Sequence, residues 1–154
     1  MRLFLTLAFV FSFTGLAQAE MEPRSGWSVA STGKSYTALI DDLKSAVKSN
    51  GFGVVTQAGP TGAAKSRGIT IPGNRVIGVF NNVYAVRTLE ISTAAMIEAP
   101  IRFYVTENAD GTADLSYKLP STVFAPYMDE APALAEVAAE LDVIFAEISA
   151  SAAQ

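Results

Sequence analysis

Between Ile101 and Leu119 hydrophobic and polar positions alternate. Ile101, Phe103 and Val105 are separated by Arg102, Tyr104 and Thr106, and after a polar gap Ala113, Leu115, Tyr117 and Leu119 repeat the pattern. A period of two is that of a strand with one buried and one exposed face, so the segment reads as a β-hairpin. A two-residue turn at Asp110-Gly111 would set Phe103 against Lys118 and Val105 against Ser116, mixing the faces. A three-residue loop, Ala109-Asp110-Gly111, with Gly111 at positive φ, instead pairs Ile101 with Leu119, Phe103 with Tyr117 and Val105 with Leu115. All the apolar residues then share one face, and this register is the one predicted.

The remaining pattern surrounds the hairpin with helices and short strands. Trp27 to Ser31 alternates and reads as a first strand. Ser35 is a suitable N-cap for a helix in which Tyr36, Leu39, Ile40, Leu43 and Val47 recur at helical spacing, and Gly51 ends it. Phe52 to Val55 reads as a strand, making a compact strand–helix–strand unit. Gln57 to Asn74 is rich in Gly, Pro, Thr and Ser, with room for one helical turn at Ala63–Lys65. Its glycines lack the spacing of a phosphate-binding loop. Val76 to Phe80 is a nearly continuous apolar run, as in a strand buried on both faces, and Gly78 marks a close approach by a neighbour. Asn82 then serves as N-cap of a helix with Val86, Leu89, Met96 and Ile97 on one side, weakened near its middle and stopped by Pro100. The passage through Phe124, Pro126 and Tyr127 reads as irregular. Pro132 opens a last helix with an apolar stripe of Leu134, Val137, Ala138, Leu141, Ile144, Phe145 and Ile148.

Composition removes several classes of chemistry. The 154 residues include no Cys and no His, which excludes thiol nucleophiles, Ser-His-Asp triads and metal or haem sites ligated by those side chains. No cofactor, metal site or catalytic residue is assigned. The net charge is -4, and the 11 basic residues never form a run, so no nucleic-acid partner is expected.

Arg2, the mostly apolar stretch Leu3–Leu16 and the small residues of Ala17-Gln18-Ala19 follow the pattern of a secretory signal peptide. Residues 1–19 are thus expected to be removed near Ala19, leaving 20–154 as a single domain in a periplasm or outside the cell. The apolar stretch is short for a membrane anchor and no basic flank follows, so no stable membrane insertion is expected after cleavage.

The residues also resemble a known family. The first helix running into Gly51-Phe52, Val76 to Phe80 with Asn82, Leu89, Pro100-Ile101-Arg102, Val105, Glu107, Asp110-Gly111, Tyr117, Pro120 and the final helical stripe together resemble the small bacterial and archaeal module called domain of unknown function 302. The resemblance covers most of the chain after residue 19. It implies an α+β fold similar to that of the TATA-box-binding protein: a curved, mainly antiparallel sheet of about five strands with helices on one face, in a β-α-β-β-β-α type of order. It implies no activity. Members often carry Asp-His where Gly59-Pro60 stands here, and Gly-Asn-Pro where this chain has Asn81-Asn82-Val83, so chemistry resting on that histidine is absent from this protein.

The hairpin register places Arg102 opposite Lys118, Tyr104 opposite Ser116 and Thr106 opposite Asp114 on the outward face. Opposed like charges are mildly destabilising, which calls for a carboxylate or an anionic ligand nearby. One reading is a small-anion site formed by Arg102, Lys118, Tyr104 and Asn82. The other is neutralisation by Glu90, Glu98 or Glu107, or simple solvation. Trp27 likewise reads as a stacking platform or as a core or sheet-edge anchor. A non-enzymatic small-ligand-binding module is therefore expected, with a structural or oligomeric envelope accessory protein as the alternative and a homodimer as the candidate assembly. A carboxylate enzyme using Glu107, Asp110 and Asp114 ranks lower, because Asp110 is explained by the turn.

Overall fold

The computed structural model describes residues 21–154, so the expected signal segment lies outside the described residues. Strands β1 (Trp27–Ser35), β2 (Gly53–Ala58), β3 (Asn74–Phe80), β4 (Ile101–Glu107) and β5 (Thr112–Lys118) form one sheet in the order β1-β5-β4-β3-β2, every neighbouring pair antiparallel. Helix α1 (Tyr36–Ser49) joins β1 to β2, α2 (Thr61–Ser66) and α3 (Asn82–Ile91) flank β3, and α4 (Pro120–Phe124) precedes the long α5 (Leu134–Ala153). The expected α+β class, with its five-stranded antiparallel sheet and helices, is the one found.

The hairpin is the middle of the sheet. Phe103 pairs with Tyr117, Tyr104 with Ser116, Val105 with Leu115 and Thr106 with Asp114, the register that the three-residue loop predicts. The loop closes through Asn108 N donating to Thr112 O at 2.8 Å, with Gly111 at φ 86. Asp110 accepts from both the Thr112 hydroxyl and its backbone N–H, and these bonds hold its carboxyl below the ordinary range. Leu119 does not extend the ladder to Ile101 as expected. It turns away, and its N–H donates to Gly26 O at 2.9 Å.

Alternation on β4 and β5 puts Phe103, Val105, Leu115 and Tyr117 against the helices, where all are buried. The expected stripes of α1 and α5 meet them: Leu39, Leu43, Val47, Leu141, Phe145 and Ile148 lie in the same core. Phe145 stacks on Phe103 at 4.8 Å and lies 5.7 Å from Tyr117. Ser35 caps α1 as expected, accepting from Ala38 N. The compact β1-α1-β2 unit is not formed as a pair of neighbouring strands, because β5, β4 and β3 lie between β1 and β2. Antiparallel pairing joins β1 to the distant β5 and β2 to the next strand, β3.

Other expectations are corrected. Asn81, not Asn82, caps α3: its Oδ1 accepts from Val83 N at 2.8 Å and from Tyr84 N, while its amide donates to Gly51 O at 2.9 Å. The α3 helix does break, giving way to a 3-10 turn at Ala95–Glu98, but its packing side differs from the one predicted. Tyr84, Thr88 and Ile91 face the core, whereas Val83, Val86, Leu89 and Ile97 are exposed. The passage after Pro120 is ordered as α4 and a 3-10 turn at Ala125–Tyr127.

A bidentate ion pair clamps α3 to α5: Arg87 donates to both Glu140 oxygens at 2.7 and 2.8 Å, and the Tyr84 hydroxyl adds a bond at 3.1 Å. The Arg87 bonds hold the Glu140 pKa down at about 2 against an ordinary 4.5. The stabilising effect is complete above the unfolded value and is lost as pH falls through the folded one. Glu140→Gln is expected to flatten the fall in melting temperature between pH 5 and pH 2, measured by circular dichroism. The clamp is half-exposed, so added salt is expected to weaken the contrast.

Candidate functional site

The sheet face turned away from α1 and α5 is ordered in rows across the strands. One row runs Trp27, Lys118, Arg102, Gly78 and Thr56, and the next runs Val29, Ser116, Tyr104, Val76 and Ala58. Lys118 is thus flanked by Trp27 on β1 and, one step beyond the last Phe103–Tyr117 pair, by Arg102 on β4. Both cations line the same groove at this end of the ladder, so they share one neighbourhood.

A groove of about 430 Å³ opens here, lined by Trp27, Asn74, Val76, Glu98, Ile101, Arg102, Tyr104, Tyr117, Lys118 and Val123. Its size falls within the range of small-molecule sites, roughly 300–1,000 Å³. Three of the four residues expected from the sequence, Arg102, Tyr104 and Lys118, line it. Asn82 does not; it is the exposed first residue of α3, and its place as cap is taken by Asn81.

Each polar group has a definite setting. Lys118 Nζ lies 5.6 Å from the centre of the Trp27 ring, and the Arg24 guanidinium lies 5.8 Å from it. Cation–π contact of this kind holds the ammonium without neutralising it. Among the described residues neither Arg102 nor Lys118 forms an ion pair. None of the carboxylates considered as partners is ion-paired to either cation. Glu107 accepts from Gly73 N, Glu90 is exposed on α3, and Glu98 accepts from the Tyr127 hydroxyl at 2.7 Å. That bond to a carboxylate raises the Tyr127 pKa.

Asn74 Nδ2 donates to the Tyr104 hydroxyl oxygen. A phenol that accepts one bond keeps its own proton to donate, so Tyr104 presents an O–H. Gly78 stands where a side chain beside Arg102 would meet Thr56 Oγ1 and the Pro100 ring, and its absence lets Pro100 pack close against the sheet at that end of the row.

The acidic trio of the enzyme reading is not assembled as a site. Asp110 is bonded within the turn, and Asp114, expected on a solvated face, is 2% exposed and accepts from Asn108 Nδ2 at 3.1 Å. Asn74 as a groove residue carries no sequence signal, whereas the sequence reads Trp27 as a candidate stacking platform and Glu98 as a candidate neutralising carboxylate; all three line the groove.

Residues 27–151 match the sequence model of the family described as domain of unknown function DUF302. The chain belongs to the DUF302 family. The crystal structure of an uncharacterized conserved DUF302 protein from Bacillus stearothermophilus is similar, with a TM-score of 0.74 over 85% of this chain and 100% of that one, at 21% identity. That likeness shows the shared DUF302 fold. No curated protein matches the chain. No helix among the described residues is long and apolar enough to cross a membrane.

Proposed function

We propose that this DUF302 protein is a non-enzymatic, exported binding module for a small anion, with the open-face groove as its site. The observation that carries the reading is the convergence of Arg102 and Lys118 on one groove with no ion-pair partner among the described residues. Two adjacent cations beside a tyrosyl O–H form an acceptor for negative charge, and an arginine fork fits a planar oxyanion. Export rests on the amino-terminal pattern of Arg2, an apolar stretch and Ala17-Gln18-Ala19.

Native mass spectrometry of the protein purified from its own exported fraction tests this. A retained small anion, lost in Arg102→Gln/Lys118→Gln, supports it. A parent protein that carries nothing and also fails to take up added anions contradicts it. The double variant is expected to unfold within about 1 kcal/mol of the parent, because relief of like-charge repulsion offsets the lost Lys118–Trp27 contact. A marked loss of stability in chemical denaturation would assign the two cations to an internal network instead.

A second reading, a homodimeric accessory protein, draws on the exposed apolar side chains Val83, Val86 and Leu89 of α3 with Ile97 beyond it. A ligand-free dimer in the same spectra favours it.

A further inference from the structure

We infer that the groove takes a monocarboxylate with an apolar body, an aromatic or medium-chain acid, in preference to an inorganic oxyanion; this rests on the anion-site reading above. Charge balance is the first argument. Among the lining residues Arg102 and Lys118 bring two positive charges and Glu98 one negative, a net single charge that a monoanion matches; Arg24 lies outside the lining, against the Trp27 ring. Phosphate, divided between monoanion and dianion at neutral pH, overshoots that balance in its dianionic form and meets the Glu98 carboxylate. Tyr127 keeps that carboxylate in place through its hydrogen bond.

The walls supply the second argument. Trp27, Val76, Ile101 and Val123 present indole and aliphatic surface around the charged row. A compact inorganic ion leaves that surface facing water, whereas a ring or alkyl chain covers it, gaining roughly 25 cal/mol for each Å² of apolar area removed from water. Across the sheet, the row of Trp27, Lys118 and Arg102 lies beside the row of Val29, Tyr104 and Val76. A carboxylate held by the Arg102 fork and the Tyr104 O–H therefore has its hydrocarbon part directed over neighbouring apolar side chains. Asn74 sets that O–H by occupying the phenol oxygen as a donor, leaving the hydroxyl proton for the ligand.

Trp27 is the only tryptophan in the chain and lines the groove, so its emission reports on occupancy. The full-length mature protein is titrated with benzoate, octanoate, benzyl alcohol and sodium phosphate, with calorimetry on the same probes as a readout independent of emission. Benzoate or octanoate is expected to bind saturably, with benzyl alcohol and phosphate each roughly tenfold weaker or more, the scale of one charge-assisted hydrogen bond or of a buried ring. Arg102→Gln is expected to weaken the carboxylates by roughly tenfold. Glu98→Gln is expected to strengthen phosphate relative to benzoate, because it removes the charge that rejects a dianion. Phosphate binding as tightly as the carboxylates overturns the ligand class while leaving the anion site standing. Benzyl alcohol binding as tightly as benzoate, or no binding by any probe, overturns both.

Discussion

Phe145→Ala is expected to cost about 3–5 kcal/mol of unfolding free energy, the range for removing a buried aromatic ring. Phe145 is 1% exposed and touches three other rings, stacking on Phe103 at 4.8 Å, with Tyr117 at 5.7 Å and Phe52 at 6.1 Å. It is the point at which α5 meets the central hairpin. Two features put the cost at the upper end. A pocket of about 40 Å³, open to the surface, already lies beside the ring, lined also by Tyr84, Leu141 and Phe124, so truncation enlarges an existing gap. Val79 and Ile101 of the sheet line that gap and are held by the β3–β4 ladder, which limits collapse on that side. Since domains of this size are stable by roughly 5–15 kcal/mol, urea denaturation of the variant should show a midpoint far below the parent's with an unchanged slope. Phe145→Leu keeps most of the volume and should lose much less.

Gly78→Ala is the second large effect, with an expected loss of about 1–3 kcal/mol from overpacking. A methyl there would lie 2.2 Å from Thr56 Oγ1 and 2.9 Å from the Pro100 ring, both far inside contact distance. Gly78 is buried within a strand paired on both sides, to Thr56 and to Arg102, so the backbone has little freedom to yield. Displacement is therefore expected to fall on Pro100 and the segment leading into Arg102. The same substitution should disturb the groove end as well as stability. Gly78→Ala combined with Thr56→Gly removes one of the two clashes, and partial recovery of the denaturation midpoint would show that the contact is steric.

Legibility in the sequence followed the range of the interactions. The hairpin register was readable because alternation and loop length are local, and together they leave one arrangement that keeps Phe103, Val105, Leu115 and Tyr117 on one face. Arg102, Tyr104 and Lys118 were readable as neighbours for the same reason. Asn82 was misplaced by a single position: Asn81 and Asn82 are equally good caps by type, and the choice is made by the Asn81 bond to Gly51 O, a contact with a distant part of the chain. The side of α3 was misread because Val86 and Leu89 are more apolar than Thr88, yet Tyr84, Thr88 and Ile91 are the ones turned toward α5 and the core. Trp27, Asn74 and Glu98 enter the groove through sheet order and the approach of the 3-10 turn, and neither is written in any local pattern.

The central claim is that the open sheet face across β1, β5, β4 and β3 is a site for a small anion. Amide chemical-shift mapping of the isotopically labelled protein during titration with sodium benzoate tests it most directly. The account predicts saturable shifts concentrated at Trp27, Val76, Arg102, Tyr104 and Lys118, abolished in Arg102→Gln/Lys118→Gln. Shifts confined to α3, or none at any position, would contradict it.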